Sequence, residues 1–153
     1  MKIAIAADHA GFRLKKLITD RLEAEGHRVF DYGTNSTDTC DYPTYAAGVA
    51  GSVVSGESER GILICGTGLG MCIAANKVAG IRAVGPCDEK QAEMSRRHND
   101  ANVLCLGERS MIQQQLVFDI LDVWLATPFD GGRHAERLEM IKELEKKMGQ
   151  GIK

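Results

Sequence analysis

No two cysteines in this sequence stand in a C-x-x-C spacing, and their number, five, is odd. Cys40, Cys65, Cys72, Cys87 and Cys105 therefore indicate neither a disulfide framework nor a zinc site, and they read as free thiols in a reducing compartment. His9, His27, His98 and His134 are too scattered to form a local metal motif, so any metal site would have to be assembled by the fold. Long hydrophobic runs are lacking as well. The first apolar stretch, Ile3 to Ala7, ends at Asp8 and is too short for a signal-peptide core or a membrane span. Nor is there an excess of one charge: a net −2 gives no reason to expect nucleic acid or an anionic membrane as partner. The expected location is the cytoplasm. With no linker, low-complexity tract or internal repeat, the 153 residues are expected to form one domain with an unstapled core.

What is present is an alternation of strand and helix patterns, at 44% hydrophobic and 26% charged residues. It predicts a mainly parallel five-stranded sheet covered on both faces, an α/β/α sandwich of Rossmann-like type. Strands are expected at Ile3 to Ala7, Arg28 to Tyr32, Gly61 to Cys65, Arg82 to Val84 and Asn102 to Leu106. Leu14, Leu17, Ile18 and Leu22 recur at helical spacing and Gly26 supplies a stop. Pro43 opens a small-residue helix that runs through Tyr45 to Val54. A short helix ends near Ala75, a polar one spans Asp88 to Arg97, and two more cover Met111 to Leu125 and His134 to Met148.

Cys65-Gly66-Thr67-Gly68-Leu69-Gly70 directly follows the apolar run Ile62-Leu63-Ile64, which puts a nucleophile or base where a buried strand gives way to a glycine-rich turn. Alternate glycines let successive backbone amides converge on an anionic oxygen. The plainer reading is a tight turn beside a buried thiol. Spacing tests three familiar alternatives. A dinucleotide fingerprint starting at Gly66 needs glycine where Met71 stands; a P-loop needs Gly-Lys-Ser/Thr where Gly70-Met71-Cys72 stands. A cysteine phosphatase wants an arginine on its phosphate loop, and the first arginine after Cys65 is Arg82.

In open α/β sheets ligands bind beyond the carboxyl ends of the strands, where Asp8, His9 and Cys65 fall. Taken singly, Asp8 could instead be a helix cap and His9 a solvated turn residue, but both fall at the ligand edge. Arg133 and Arg137, four apart, share a helix face that could grip a phosphate or simply be solvated. His98-Asn99-Asp100 lies after a helix and before the fifth strand, hence at the amino edge, opposite Cys65. If His98 shares a site with Cys65, a second subunit supplies it; otherwise the segment is a helix C-cap.

The chain resembles the type B ribose-5-phosphate isomerases, a family that also holds subunits of galactose-6-phosphate isomerase and allose-6-phosphate isomerases. The likeness runs over nearly the whole length. It rests on Asp8-His9-Ala10-Gly11, Asp41-Tyr42-Pro43, Gly61-Ile62-Leu63-Ile64-Cys65-Gly66-Thr67-Gly68, Ala74-Ala75-Asn76-Lys77, Gly80-Ile81-Arg82-Ala83, Ser95-Arg96-Arg97-His98-Asn99-Asp100 and Gly131-Gly132-Arg133-His134. The resemblance implies an aldose–ketose isomerase of a phosphorylated sugar, a dimer or larger homo-oligomer that uses neither metal nor other cofactor. It gives Cys65 the role of general base between carbons 1 and 2, and Thr67 that of a hydroxyl shuttling protons between the sugar oxygens. The backbone amides from Gly66 through Gly68 to Gly70 would hold the enediolate charge. His98 matches the residue that opens the furanose ring, and Asp8 is placed to hydrogen-bond the sugar. His9, Arg109, Arg133 and Arg137 match phosphate and substrate contacts, and Tyr42 and Asn99 match other pocket positions. The family's site spans a dimer interface, which would resolve the position of His98. As a base, Cys65 must act as a thiolate, which the adjacent amides favour.

The sequence departs from the family's usual pattern at Met71 and Cys72, where a small aliphatic and a serine are common, and at Gly85-Pro86-Cys87-Asp88-Glu89-Lys90. The latter segment ends the fourth strand and bears on sugar length. Cys72 and Cys87 read as packing residues. Besides the pentose phosphate isomerase, two readings compete: a hexose 6-phosphate isomerase, and a non-catalytic sugar-phosphate binding subunit that needs a paralogue. A nucleotide-binding module is a weaker third, disfavoured by Met71.

Overall fold

The structure, a computed structural model, describes residues 1–110 and 113–149. Five strands, β1 (Lys2–Ala7), β2 (Arg28–Asp31), β3 (Arg60–Cys65), β4 (Ala83–Val84) and β5 (Val103–Gly107), form one parallel sheet in the order β2-β1-β3-β5-β4. Six helices accompany them: α1 (Phe12–Ala24), α2 (Tyr42–Val54), α3 (Leu69–Ala75), α4 (Glu89–Asn99), α5 (Gln114–Ala126) and α6 (Arg133–Gly149). The expected α/β/α sandwich is thus present, with every strand pair parallel. The expected fifth strand is displaced by one residue at each end, and of the helix expected from Met111, residues 111–112 lie outside the described residues.

Because successive strand residues face opposite sides, the central strands feed two cores. Ile3, Ile5, Ile62, Ile64, Leu104 and Leu106 point toward α1, α4 and α5, where Ile18, Leu22 and Trp124 complete a bulky layer. Each such side chain stabilises the fold by about 1.5–3 kcal/mol through burial. Ala4, Ala6, Leu63, Cys65, Val103 and Cys105 face α2 and α3, where Ala46, Ala50, Met71 and Ala75 keep the layer thin. The close approach leaves no room for extra atoms: a Cβ on Gly61 would stand 2.7 Å from Val49 Cγ1.

One expectation for α1 is overturned. Leu17 does not join its apolar face but is 45% exposed, and Lys15 lies buried beside Leu14 and Ile18 instead. The Lys15 ammonium bonds both carboxylate oxygens of Asp31 at 2.6 Å and the Thr34 carbonyl at 2.8 Å. A buried charge needs such partners, and only the neighbouring strand end supplies them.

Strand order reverses between β1 and β3, so their carboxyl ends open a crevice. α1 starts hard against β3 there: a Cβ on Gly11 would lie 2.8 Å from the Ile64 carbonyl carbon. At the other edge, α4 begins with the Asp88 side chain accepting the Gln91 amide at 2.7 Å, and it ends at Asp100 in the left-handed region (φ 44°). α6 buries only His134 and Leu138. Met140, Ile141, Leu144 and Met148 are exposed on it, and Glu145 accepts the Gly80 amide at 3.1 Å. Among the described residues no helix is long and apolar enough to cross a membrane.

Candidate active site

Cys65 closes β3 with its side chain almost fully buried, and the chain then turns sharply through Gly66, Thr67 and Gly68 into α3. The turn needs Gly68 and Gly70. Gly68 has φ +78°, and a Cβ there would approach the Leu106 carbonyl carbon to 3.1 Å. A Cβ on Gly66 would touch Arg109 Cδ at 3.6 Å, and one on Gly70 would strike the Tyr42 ring at 2.9 Å. These near contacts show what lines the turn: the Arg109 stem on one side and the Tyr42 ring on the other. The Gly68 amide donates to Cys65 Sγ at 3.1 Å, a donor aimed at the sulfur that would stabilise it as an anion. Thr67 is exposed, and its Oγ1 accepts the Leu69 amide at 3.4 Å. α3 itself is only two turns long, so any anion at the turn would meet its local amides rather than a long helix dipole.

Asp8 leaves β1 beside this turn and acts as the cap that the sequence allowed. Its Oδ1 accepts the amides of Ala10 at 2.9 Å and Gly11 at 3.1 Å, capping the entry to α1. No donor within the described residues is recorded on its Oδ2, which remains available to a hydroxyl. His9 Nδ1 accepts the Cys40 amide at 3.3 Å, which leaves Nε2 to carry the proton and face outward as a donor. Asp8, His9, Tyr42, Cys65, the glycine turn and Arg109 thus form one constellation at the carboxyl edge.

His98, Asn99, Arg133 and Arg137 are not part of it. They sit at the amino edge, with the length of β5, about 16 Å at the usual strand rise, in between. There the His98 and His134 rings stack in parallel, centroids 4.2 Å apart and 6° between planes. Asp130 joins them through its amide, which donates to the Arg97 carbonyl at 3.0 Å, and its carboxylate, which accepts Arg97 Nε at 3.1 Å. The Arg97 guanidinium, aided by His98 and His134, holds the Asp130 carboxyl below the usual carboxylate range. Burial, then the charges of His98, Arg133 and Arg137, pushes His134 down from 6.5. Arg133 and Arg137 are both exposed on the first turns of α6. Asn99 points its carbonyl at Arg82 Nε, 2.9 Å away, and lines a separate hollow with Met94 and Gln91.

Sequence reasoning did not pair His134 with His98, nor include Asp130. The signal was local: Gly131-Gly132 turns the chain straight into α6 one residue before His134. Gly107 was also passed over; a Cβ on it would stand 2.6 Å from the Thr67 carbonyl carbon, so it lets the glycine turn lie on the end of β5. The fold does bring three metal-capable groups together, His98, Asp130 and His134, with ligand atoms within 4.8 Å of one another. Parallel stacked rings direct their in-plane lone pairs alongside each other rather than at a shared point, and Asp130 is already held by Arg97. The cluster suits proton transfer and an anion better than a cation.

An α/β sandwich with a thiol in an amide-lined turn at the switch point, and no dinucleotide or P-loop fingerprint, defines a class that handles small anionic substrates. The chain belongs to the ribose/galactose isomerase family, whose model matches residues 3–141. It is 49% identical over 146 residues to ribose-5-phosphate isomerase B of Escherichia coli (strain K12), covering 95% of this chain and 97% of that protein. Ribose-5-phosphate isomerase B of Clostridium thermocellum superposes with a TM-score of 0.94 at 53% identity, covering 97% of this chain and 99% of the other. The Mycoplasma genitalium enzyme, solved with bound ribulose-5-phosphate, does so with a TM-score of 0.89 at 42% identity, covering 95% and 97%.

Proposed function

We propose that the chain interconverts ribose 5-phosphate and ribulose 5-phosphate by proton transfer through a cis-enediol. The observation that carries this reading is the thiol–amide pair Cys65–Gly68 at the mouth of a crevice whose other groups are a free carboxylate oxygen, the His9 imidazole and the Arg109 guanidinium. Cys65, as thiolate, takes the proton from C2 of the open aldose and returns it to C1. The electron pair released moves onto the carbonyl oxygen, where the turn amides meet the developing charge. Thr67 passes the hydroxyl proton between O1 and O2. Asp8 Oδ2 and Tyr42 hold the sugar hydroxyls, and His9 and Arg109 hold the phosphate together with Arg133 and Arg137.

His98, with Asn99 beside it, serves the site from a second copy. A two-fold pairing brings the amino-edge cluster of one subunit to the carboxyl edge of the other, and the uncovered stripe of Met140, Leu144 and Met148 on α6 is apolar surface of the kind such a contact covers. His98 takes the anomeric hydroxyl proton and opens the furanose. The reading includes one catalytic domain, a homodimer or larger homo-oligomer, no resident metal and a cytoplasmic setting.

The test is turnover by the purified chain alone, after treatment with chelator, of ribose 5-phosphate and allose 6-phosphate side by side. Turnover of the pentose is expected. A preference for the hexose would transfer the assignment to the hexose phosphates and to the departures at Gly85 to Lys90. Turnover that appears only after adding a paralogous chain would make this a subunit of a mixed enzyme.

A further inference from the structure

Behind the catalytic turn lies a second cavity, of about 550 Å³, whose wall includes Thr67, Gly68, Cys72, Pro86, Cys105 and Leu116. Asp8, His9, Tyr42 and Arg109 do not line it, and among the described residues it has no charged side chain. A sugar phosphate has nothing there to neutralise it, so the cavity takes an uncharged, largely apolar molecule.

The reactive groups in it are thiols. Cys72 Sγ stands 3.3 Å from the Ala83 carbonyl, which holds its proton when it has one, and Asn76 Nδ2 reaches the same sulfur at 3.6 Å. Cys105 lines the same cavity. Interaction with the Cys105 thiol, together with the Asn76 amide, outweighs the cost of burial and pulls the Cys72 thiol down to about 7, whereas its interaction with Cys72 and its burial push the Cys105 thiol well above the ordinary range. The pair therefore consists of one accessible thiolate and one thiol that supports it. Cys87, at the exposed rim of the same cavity, has no such support.

We propose that this cavity is a covalent site for small apolar electrophiles with a carbon–carbon double bond conjugated to a carbonyl, and that Cys72 is the residue they modify. The Cys72 thiolate adds to the β-carbon and a C–S bond forms. The π bond breaks, its electron pair passes into the enolate, and the α-carbon takes a proton from water. The adduct then fills the space behind Thr67 and Gly68. Thr67 and Gly68 are themselves wall of the cavity, so an adduct that fills it presses on the turn whose Gly68 amide faces Cys65. Modification at Cys72 thus stops the enzyme without touching Cys65; this last consequence alone rests on the isomerase reading.

The experiment treats the full-length protein at pH 7 with one equivalent of N-phenylmaleimide, quenches with excess thiol, and locates the adduct by peptide mass spectrometry over time. Cys72 is expected to react at least about tenfold faster than Cys87, and about tenfold more slowly in a Cys105→Ala variant, where the supporting thiol is gone. A carboxylate-bearing maleimide is expected to lose about tenfold in rate at Cys72 and little at Cys87, because the charge must be desolvated to enter. Cys72→Ser and Cys72→Ala are each expected to remove the fast phase and protect turnover. Adducts forming first at Cys87 or Cys65, or equal rates at Cys72 for the apolar and the charged maleimide, would overturn the proposal.

Discussion

Cys65 Sγ accepts a hydrogen bond from the Gly68 amide at 3.1 Å, so the residue that turns the chain out of β3 is also the partner of the thiol at its end. Structure and chemistry coincide at Gly68. Its φ of +78° and the Leu106 backbone 3.1 Å from a would-be Cβ leave no tolerance for a side chain. Gly68→Ala is expected to cost about 1–2 kcal/mol of stability through the left-handed backbone alone. Its kcat should fall further than that loss predicts, measured at a temperature where the variant is fully folded. A variant with wild-type kcat would show that the amide does not act on the sulfur.

Replacing the thiol separates base from scaffold. Cys65→Ala is expected to reduce kcat by about 10²–10⁴-fold, the usual worth of a positioned general base, with KM little changed. Full activity of this variant would remove Cys65 from the mechanism.

The separation of Cys65 from His98 permits a complementation test. Cys65→Ala and His98→Asn homodimers are each expected to be nearly inactive. Unfolded together in equal amounts and refolded, they should recover about a quarter of wild-type activity, because half the dimers are mixed and each mixed dimer carries one intact site of two. No recovery would mean that each chain uses its own His98.

The apolar stripe on α6 gives the corresponding assembly test. Met140 and Leu144 are 68% and 60% exposed, and burying each against a second copy is worth about 1.5–3 kcal/mol. Met140→Glu with Leu144→Glu is expected to weaken association by at least about a hundredfold and to abolish turnover in the monomer, read by sedimentation equilibrium and assay on the same sample.

The His98–His134 stack makes stability depend on pH. His134 is pushed below 6.5 by burial and then by His98, Arg133 and Arg137, so between its folded and unfolded values the unfolded chain binds the proton that the folded one refuses. Stability contributed by the neutral ring is therefore full above about pH 6.5 and declines as pH falls through that value. The urea midpoint should drop more between pH 7.5 and 5.5 for the wild type than for His134→Asn, at one protein concentration.

Behind that cluster, Arg96 ties the end of α4. Only 2% exposed, it donates to Asp100 Oδ1 at 2.7 Å, to the Ala101 carbonyl at 2.6 Å and to the Thr127 carbonyl at 3.3 Å. Arg96→Ala leaves Asp100 with Arg82, 3.0 Å from Oδ2, but strands the Ala101 and Thr127 carbonyls and is expected to cost about 1–3 kcal/mol, read from chemical denaturation.

Much of this was written in the linear pattern. Ile3 to Ala7 and Ile62 to Ile64 are apolar on both faces because the strands they form are covered on both faces, and that alone implies helices on each side of a parallel sheet. Gly68 revealed the turn because a residue with a side chain fits poorly at a positive φ against a neighbouring strand. The family resemblance added roles to residues whose chemistry was already visible at the carboxyl edge. Leu17 shows the limit of periodicity: helical spacing cannot tell which of two adjacent positions is inward when a lysine finds a buried carboxylate, because Asp31 is sixteen residues beyond Lys15 and arrives only with β2.

The sequence by itself determined the layered α/β architecture, the thiol at the end of β3 and the conflict between Cys65 and His98, since each follows from local pattern and from the polarity of a parallel crossover. Tertiary structure alone decided the rest. The stacking of His98 on His134, the shared cavity wall of Cys72 and Cys105 and the seat of Thr67 on Gly107 each join segments brought together only by packing across the sheet edge or between layers, because close packing and not local pattern sets which side chains meet.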